Sequence, residues 1–292
     1  MKAIYFEEPA DQFSCVERAW RDRLDDVGGQ AIFLRSRRGR WSGKPGSWSI
    51  KYLISGRAAF CLEGQWCDIF EGFCFVVPEQ VAYRSVLHSG RAVSIFGRPL
   101  AKAETEPELS VWGVFELTGK ERKAVSGSLA ALEERSSQGL STDPDQGSQI
   151  QVDRPFPAPQ SWRKTRLAVR RWLRQGPARV RSAQRLLNAR HFLTARFREH
   201  DVCTKAANQA NMTRSHFSRE FSKLFGKSPR QHLIDYRTNV ACQLLASGRL
   251  KVEQVAAQLG YNHASSLNHL FQRKEMTSPG NHRFNLRPDD SR

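Results

Sequence analysis

One device appears twice in the last third of this chain, and it narrows the fold more than any other feature. The stretch "NMTRSHFSREFSKLFGKSP" supplies Phe217, Phe221, Ser228 and Pro229. Fifty residues later the same spacing holds Leu267, Phe271, Ser278 and Pro279. Ala207 and Met212 recur at forty-nine as Ala256 and Tyr261, so the second copy carries one extra residue in its turn. Six pairs in order mark a duplicated structural unit.

Each copy reads as a short helix, a tight turn and a second helix. In the first copy a short helix is predicted from Thr204 to about Ala210. Thr213 is placed to cap the next helix, whose inner face is Phe217, Phe221, Leu224 and Phe225. Gly226 can end that helix in a left-handed cap. Ser228 and Pro229 then open a helix of about 18 residues, with Ser at the cap and Pro where its missing N–H costs nothing. Leu233, Tyr236, Val240, Ala241 and Leu244 stripe it until Ser247-Gly248. Ahead of the first copy, Leu186, Ala189, Phe192, Leu193 and Phe197 predict a helix from about 182 with one buried face. The alanine pairs Ala206/Ala207 and Ala256/Ala257 lie where two helices must approach closely. This is the pattern of a helix-turn-helix, whose second helix enters the major groove.

Charge supports a polyanionic partner for this half. Residues 1–159 hold 20 Lys and Arg against 21 Asp and Glu, whereas residues 160–292 hold 26 against 8. The net charge is therefore −1 in the first part and +18 in the second, giving the +17 of the whole chain. A solvated surface mixes both signs; a region this basic attracts nucleic acid and repels itself without it. The outer face of the first reading helix carries Arg214, Ser215, Ser218, Arg219 and Lys223, donors suited to phosphates and base edges, and Arg can bind guanine bidentately. Thr213, Arg214 and Lys223, with Arg273 and Lys274 just past the second face, are the candidate phosphate contacts. RNA binding would call for exposed aromatics on the basic face, but Phe217, Phe221 and Phe271 fall on the inner stripe.

The segment from Leu187 to Arg283 resembles the DNA-binding domain of the AraC/XylS family of bacterial transcription regulators. The resemblance implies a seven-helix domain, two helix-turn-helix units joined by one helix, and activation of transcription by contact with RNA polymerase at promoter DNA. By family position, Ser215, Ser218 and Arg219 match the base-reading sites of the first unit, and Ser265, Asn268 and His269 those of the second. The second copy departs from the family pattern. Met276 stands in place of Gly, His282 in place of Tyr and Leu267 in place of Phe, and its exposed face "NHASSLNH" has no Arg. The second unit is therefore expected to grip phosphates more than it reads bases.

The first half has a different rhythm. Short strands over residues 30–118 are punctuated by Gly56, Glu63-Gly64, Glu71-Gly72, Pro78 and Ser89-Gly90, the spacing of an antiparallel sandwich or small barrel. "WSIKYLISG" places Trp48, Ile50, Tyr52 and Ile54 on one face. Leu129 and Leu132 mark a helix after the strands. The region 51–85 resembles the cupin-like barrel carried by many members of the same family for effector binding or dimerisation, on Gly72, five residues, then Pro78. With His88 as the one histidine of this half, and Gln80 and Tyr83 where a metal cupin has Gly and His, no metal or cofactor is expected. Trp48, Tyr52, Phe60, Phe73, Phe75 and Tyr83 can line an effector pocket or simply fill the barrel. Arg57 and Arg84 are candidates for an anionic ligand.

The expected architecture is α+β in two domains. Residues 1–135 form an antiparallel, cupin-like β-barrel for effector sensing or dimerisation. Residues 136–180 form a linker, basic at its end, and residues 181–292 form an all-α DNA-binding domain. The function expected is a DNA-binding transcription activator, not an enzyme, each chain reading two adjacent major grooves; the competing reading is a cupin-type enzyme with a DNA-targeting module. A small-molecule effector and a homodimer are both compatible with the first domain. The six cysteines form no C-x-x-C pair and read as reduced packing residues. The start "MKAIYFEEPADQFS" has no apolar core of a secretory signal and no run suits a bilayer, so no membrane partner and a cytoplasmic location are expected.

Overall fold

The computed structural model describes residues 2–7, 30–35, 38–43, 49–62, 64–78, 81–96, 111–137, 148–151, 156, 158–274 and 276–281. The chain divides into two compact units, Met1–Val180 and Arg181–Arg292.

Among its described residues the first unit is built on a nine-stranded sheet: β1 (Lys2–Glu7), β2 (Gln30–Arg35), β3 (Gly39–Gly43), β4 (Ser49–Leu62), β5 (Gln65–Phe70), β6 (Phe73–Val77), β7 (Tyr83–Phe96), β8 (Gly113–Glu116) and β9 (Ser148–Gln151). Its main path runs β8-β6-β4-β7-β2-β1-β9, with β3 also on β7 and β5 also on β4. Every pairing is antiparallel except β1 with β2.

The long β4–β7 ribbon organises the sheet, and two glycines give it its shape. Gly56 and Ser89-Gly90 were expected to end strands. Instead Gly56 and Gly90 face each other inside two continuous 14-residue strands. Their φ angles are +83° and +85°, and a Cβ on either would lie 2.2 or 2.0 Å from a carbonyl oxygen of the opposite strand. Register shifts flank the pair at Leu53/Ser55 and Arg57/Ala58. Paired glycines at a bulge let the ribbon bend sharply without losing its ladder.

The bend brings the two ends of β4 together. Phe75 pairs with Lys51 near the start of β4, yet its ring stacks on Phe60 near the end, at 4.9 Å. The Lys51 ammonium lies 4.8 Å over the ring of Tyr83, which pairs with Leu62. Both faces of β4 are consequently covered, and Ser49, Lys51 and Leu53 are buried along with Ile50 and Tyr52. The one-sided alternation expected over 48–54 does not hold for this reason, and Trp48 lies outside the described residues.

Helix α1 (Gly119–Ser137) follows β8 and buries Leu129 and Leu132, as the sequence pattern predicts. Helix α2 (Gln160–Leu173) occupies part of the expected linker. It buries Trp162, Thr165, Val169 and Trp172 at i, i+3, i+7 and i+10, one face of a helix. Trp162 donates its indole N–H to the Val111 carbonyl at 2.8 Å, and Ser161 Oγ donates to the Glu116 carbonyl at 2.9 Å. Pro159, at the cap of α2, offers no side-chain acceptor, and Glu121 fills that role by accepting from the Gln160 N–H at 2.6 Å. The buried Trp162 thus ties this stretch to the segment that leads into β8.

From Pro177 on, the described residues are helical, the first helix crossing the boundary between the units: α3 (Pro177–Ala195), α4 (Val202–Gln209), α5 (Arg214–Phe225), α6 (Pro229–Ala246), α7 (Val252–Gln258) and α8 (Ala264–Gln272). A helical turn begins at Pro279. The predicted signals are used as expected at three termini. Thr213 Oγ1 accepts from His216 N, Ser228 Oγ accepts from Gln231 N with Pro229 at the first position, and Gly226 closes α5 at φ +75°.

Candidate nucleic-acid interface

The two copies fold alike. In the first, α4 and α5 flank a turn in which Asn211 takes φ +53° and Met212 N–H donates to the Ala207 carbonyl at 3.0 Å. In the second, α7 and α8 flank a turn in which Gly260 takes φ +79° and Tyr261 N–H donates to the Ala256 carbonyl, again at 3.0 Å. The left-handed residue and the closing hydrogen bond both recur at an offset of forty-nine, as the sequence repeat does. Ala206, Ala207 and Ala256 are buried where the helices meet, whereas Ala257 is exposed and takes no part in the approach.

Each second helix hides its apolar stripe and presents a polar face. On α5, Phe217, Phe221 and Leu224 are buried, and the Phe217 and Phe221 rings meet edge-on at 5.4 Å. Arg214, Ser215, His216, Arg219 and Lys223 are exposed and Ser218 is partly so. On α8, Leu267, Leu270 and Phe271 are buried, while Ser265, Asn268, His269 and Arg273 are exposed. A cleft of about 790 Å³ lies between the two reading helices, lined by Arg214, Ser218, Arg230, Tyr261, His269 and Arg273 among others. The joining helix α6 has 18 residues, about 27 Å of axis.

The cations on this surface are not equivalent. Lys223 donates to Glu220 at 2.9 Å, and that carboxylate is buried, with Arg219 Nε 3.7 Å away. Lys274, grouped on sequence grounds with the phosphate-facing cations, is instead bound to Asp235 of α6, which also takes Lys227 at 2.8 Å and Gln231. Burial alone would raise the Asp235 carboxyl, but the hydrogen bonds from Lys227, Lys274 and Gln231 hold it below its ordinary value. Arg214 and Arg273 make no ion pair among the described residues.

Sequence reading missed the groups that fix the two helix-turn-helix motifs relative to one another. Arg237 of α6 donates to the Phe197 carbonyl at 2.7 Å through Nε and lies 5.0 Å over the Tyr261 ring. Asp235 and Arg237 thus tie the joining helix to the end of α8, to the second turn and to the chain leaving α3. Two histidines complete the core. His191 is driven down to about 3 by burial and by the Arg190 charge, and His232, facing Thr194 Oγ1 at 3.4 Å, is well below its ordinary value for the same reasons. A polar residue between helical apolar positions gives no sign of such roles until its neighbours are known.

In the first unit, Tyr52, Phe60, Phe73, Phe75 and Tyr83 are all buried; Phe60 packs on Phe75 and Tyr83, and Phe156 stands 6.0 Å from Tyr52. Arg57 is engaged by Asp68 at 3.1 Å, and the Arg84 guanidinium lies 5.6 Å over the Trp66 ring.

Residues 206–284 match the family of helix-turn-helix domains designated HTH_18. This segment is an AraC/XylS-type DNA-binding domain. Such domains bind DNA in transcription regulators and are not enzymes. Over 77 residues the chain is 31% identical to the HTH-type transcriptional regulator AlkR of Acinetobacter baylyi and 30% identical to the MmsAB operon regulatory protein of Pseudomonas aeruginosa. Each alignment takes 26% of this chain and spans about a quarter (25%) of the relative's length. Among solved structures, the DNA-binding domain of AdpA in complex with a target DNA is 29% identical, covering 35% of this chain and 92% of that one, with a TM-score of 0.33. ToxT from Vibrio cholerae O395 covers 88% of this chain and 97% of its own at 11% identity, with a TM-score of 0.31. No described helix is long and apolar enough to cross a membrane.

Proposed function

We propose that this protein is a sequence-specific regulator of transcription in which one chain reads two adjacent major grooves. The observation that carries the reading is the pair of matching turns, each presenting a polar helix face, held on one 18-residue helix. With about 27 Å of axis plus the packing offsets, the faces would be spaced about one turn of DNA, near 34 Å. In this reading Ser215, Ser218 and Arg219 contact bases, and Ser265, Asn268 and His269 contribute weaker discrimination. Thr213, Arg214, Lys223 and Arg273 contact phosphates. The site is asymmetric because the two faces differ.

The first unit, closed into a cupin-like barrel, would sense an effector or mediate dimerisation. Activation through RNA polymerase and a cytoplasmic location belong to the same reading by resemblance. Selection from a random duplex pool, followed by protection mapping on the protein's own promoter, tests the central claim. One well-specified half-site with a weaker neighbour about one turn away is the expected outcome. Binding without sequence preference would sink it.

A further inference from the structure

The most one-signed stretch of the chain lies outside the helix-turn-helix units. Between Asp153 and Glu199 there is no acidic residue, while residues 160–198 contain twelve Lys and Arg. Helix α2 begins this run, and its orientation is fixed. Trp162, Thr165, Val169 and Trp172 are buried, and the hydrogen bonds of Trp162 to Val111 and of Gln160 to Glu121 pin it to the sheet unit. At 100° per residue, Arg163, Lys164, Arg171 and Arg174 fall within an arc of about 100° on the opposite side. All four are exposed, and none makes an ion pair among the described residues. An ordinary solvated helix of this length would intersperse carboxylates.

We propose that this outer face of α2 is an auxiliary docking surface for the phosphate backbone of duplex DNA flanking the site held by the helix-turn-helix units. The four cations span about 16 Å of helix, along which a duplex presents roughly nine charges, so the densities are matched in sign and scale. Only Arg174, Gln175 and Gly176 separate α2 from α3, which opens the run of DNA-binding helices. A contact of α2 with duplex held by the second unit would therefore be intramolecular. A membrane surface fits less well. A basic amphipathic helix binds lipid by inserting its apolar face; the apolar stripe of α2 is buried in its own unit, and Leu167 is the one large apolar side chain left exposed among the cations, too little for insertion. The contact carries no sequence information; it adds affinity and length to the footprint.

The proposal rests on DNA binding by the second unit, and the experiment separates the two. Binding of the full chain is measured against salt on two duplexes sharing the selected core, one of about 20 base pairs that ends with the two half-sites and one extended well beyond them. The extended duplex should bind the unaltered protein more tightly and with a steeper salt slope. The combined change Arg163→Gln, Lys164→Gln, Arg171→Gln and Arg174→Gln should remove that advantage, lowering the slope of log affinity against log salt by about 3 to 4. On the short duplex the two proteins should coincide. The arginine-to-lysine variant at the same three arginines should keep the steeper slope, because phosphate neutralisation needs charge alone. Equal slopes for the unaltered and glutamine proteins on the extended duplex would overturn the proposal, as would a loss equally large on both duplexes. So would a variant that loses only binding to vesicles of anionic lipid. An unaltered protein that bound neither duplex would overturn the DNA-binding reading itself.

Discussion

Gly226 and Gly260 adopt nearly the same left-handed backbone, at φ +75° and +79°, but their surroundings differ. A Cβ on Gly226 meets nothing within 4 Å, whereas one on Gly260 would stand 1.9 Å from the Arg198 carbonyl oxygen. Gly226→Ala should therefore cost only the left-handed penalty, about 1–2 kcal/mol. Gly260→Ala should cost several-fold more, because backbone must move and Arg198, whose Nε donates to the Gln258 carbonyl, moves with it. Amide exchange over α4–α8 checks the pair; similar losses at both sites would contradict the contact argument. Arg219 is the residue on which base reading turns. Arg219→Ala should weaken specific binding by about 1–3 kcal/mol and relax preference at one base pair, as loss of a bidentate guanine contact does. Titration against single-base variants of the selected site measures this. A uniform loss over all sequences would make Arg219 a phosphate contact.

The element that sets the geometry of the reading heads is α6, and Asp235 is its hold on the second head. Three hydrogen-bonding partners converge on this one carboxylate, Lys227, Lys274 and Gln231, two of them beside the ends of α5 and α8. Asp235→Asn keeps the shape and removes the charge. It should cost about 1–3 kcal/mol of stability, the range for charge-assisted hydrogen bonds, and should blur protection over the second half-site while leaving the first intact. Protection mapping of the variant distinguishes this from a general folding defect, in which both half-sites would fade together. The duplication and its caps were readable in the chain because they are local, residue type against helix position. The Asp235–Lys274 and Arg237–Phe197 ties join residues 39 and 40 apart, and no periodicity marks them.

At the scale of the molecule, acid should destabilise the helical unit. His191 and His232 bind protons far more weakly when folded than their ordinary pKa of 6.5 allows, so falling pH favours the unfolded chain. Their contribution is fully present above about 6.5 and is lost progressively as pH falls below it toward the folded value, about 3 for His191. Asp235 acts in the same direction at lower pH, since its folded value is depressed and its contribution vanishes as pH drops through it. Denaturant midpoints of the helical signal should fall steadily from neutral pH toward about pH 4. His191→Gln, which cannot take the proton, should make that fall shallower. A flat profile would show that these histidines are not buried neutral.

The sequence alone determined the helical half almost completely: two helix-turn-helix units, their caps, the joining helix and the faces they expose. Those features depend on positions three or four residues apart, and the chain repeats them. The glycine bend of the β4–β7 ribbon was decided only in three dimensions, because a Gly that ends a strand and a Gly that bends a paired one look alike until Gly56 and Gly90 are seen opposite each other. The same holds for α2, which lies in the expected linker and whose Trp162 bonds to Val111, fifty-one residues earlier. It holds too for Lys274, whose charge was legible but whose partner, thirty-nine residues away on another helix, was not. Long-range partners are chosen by packing, and packing is what a local reading of residues leaves out.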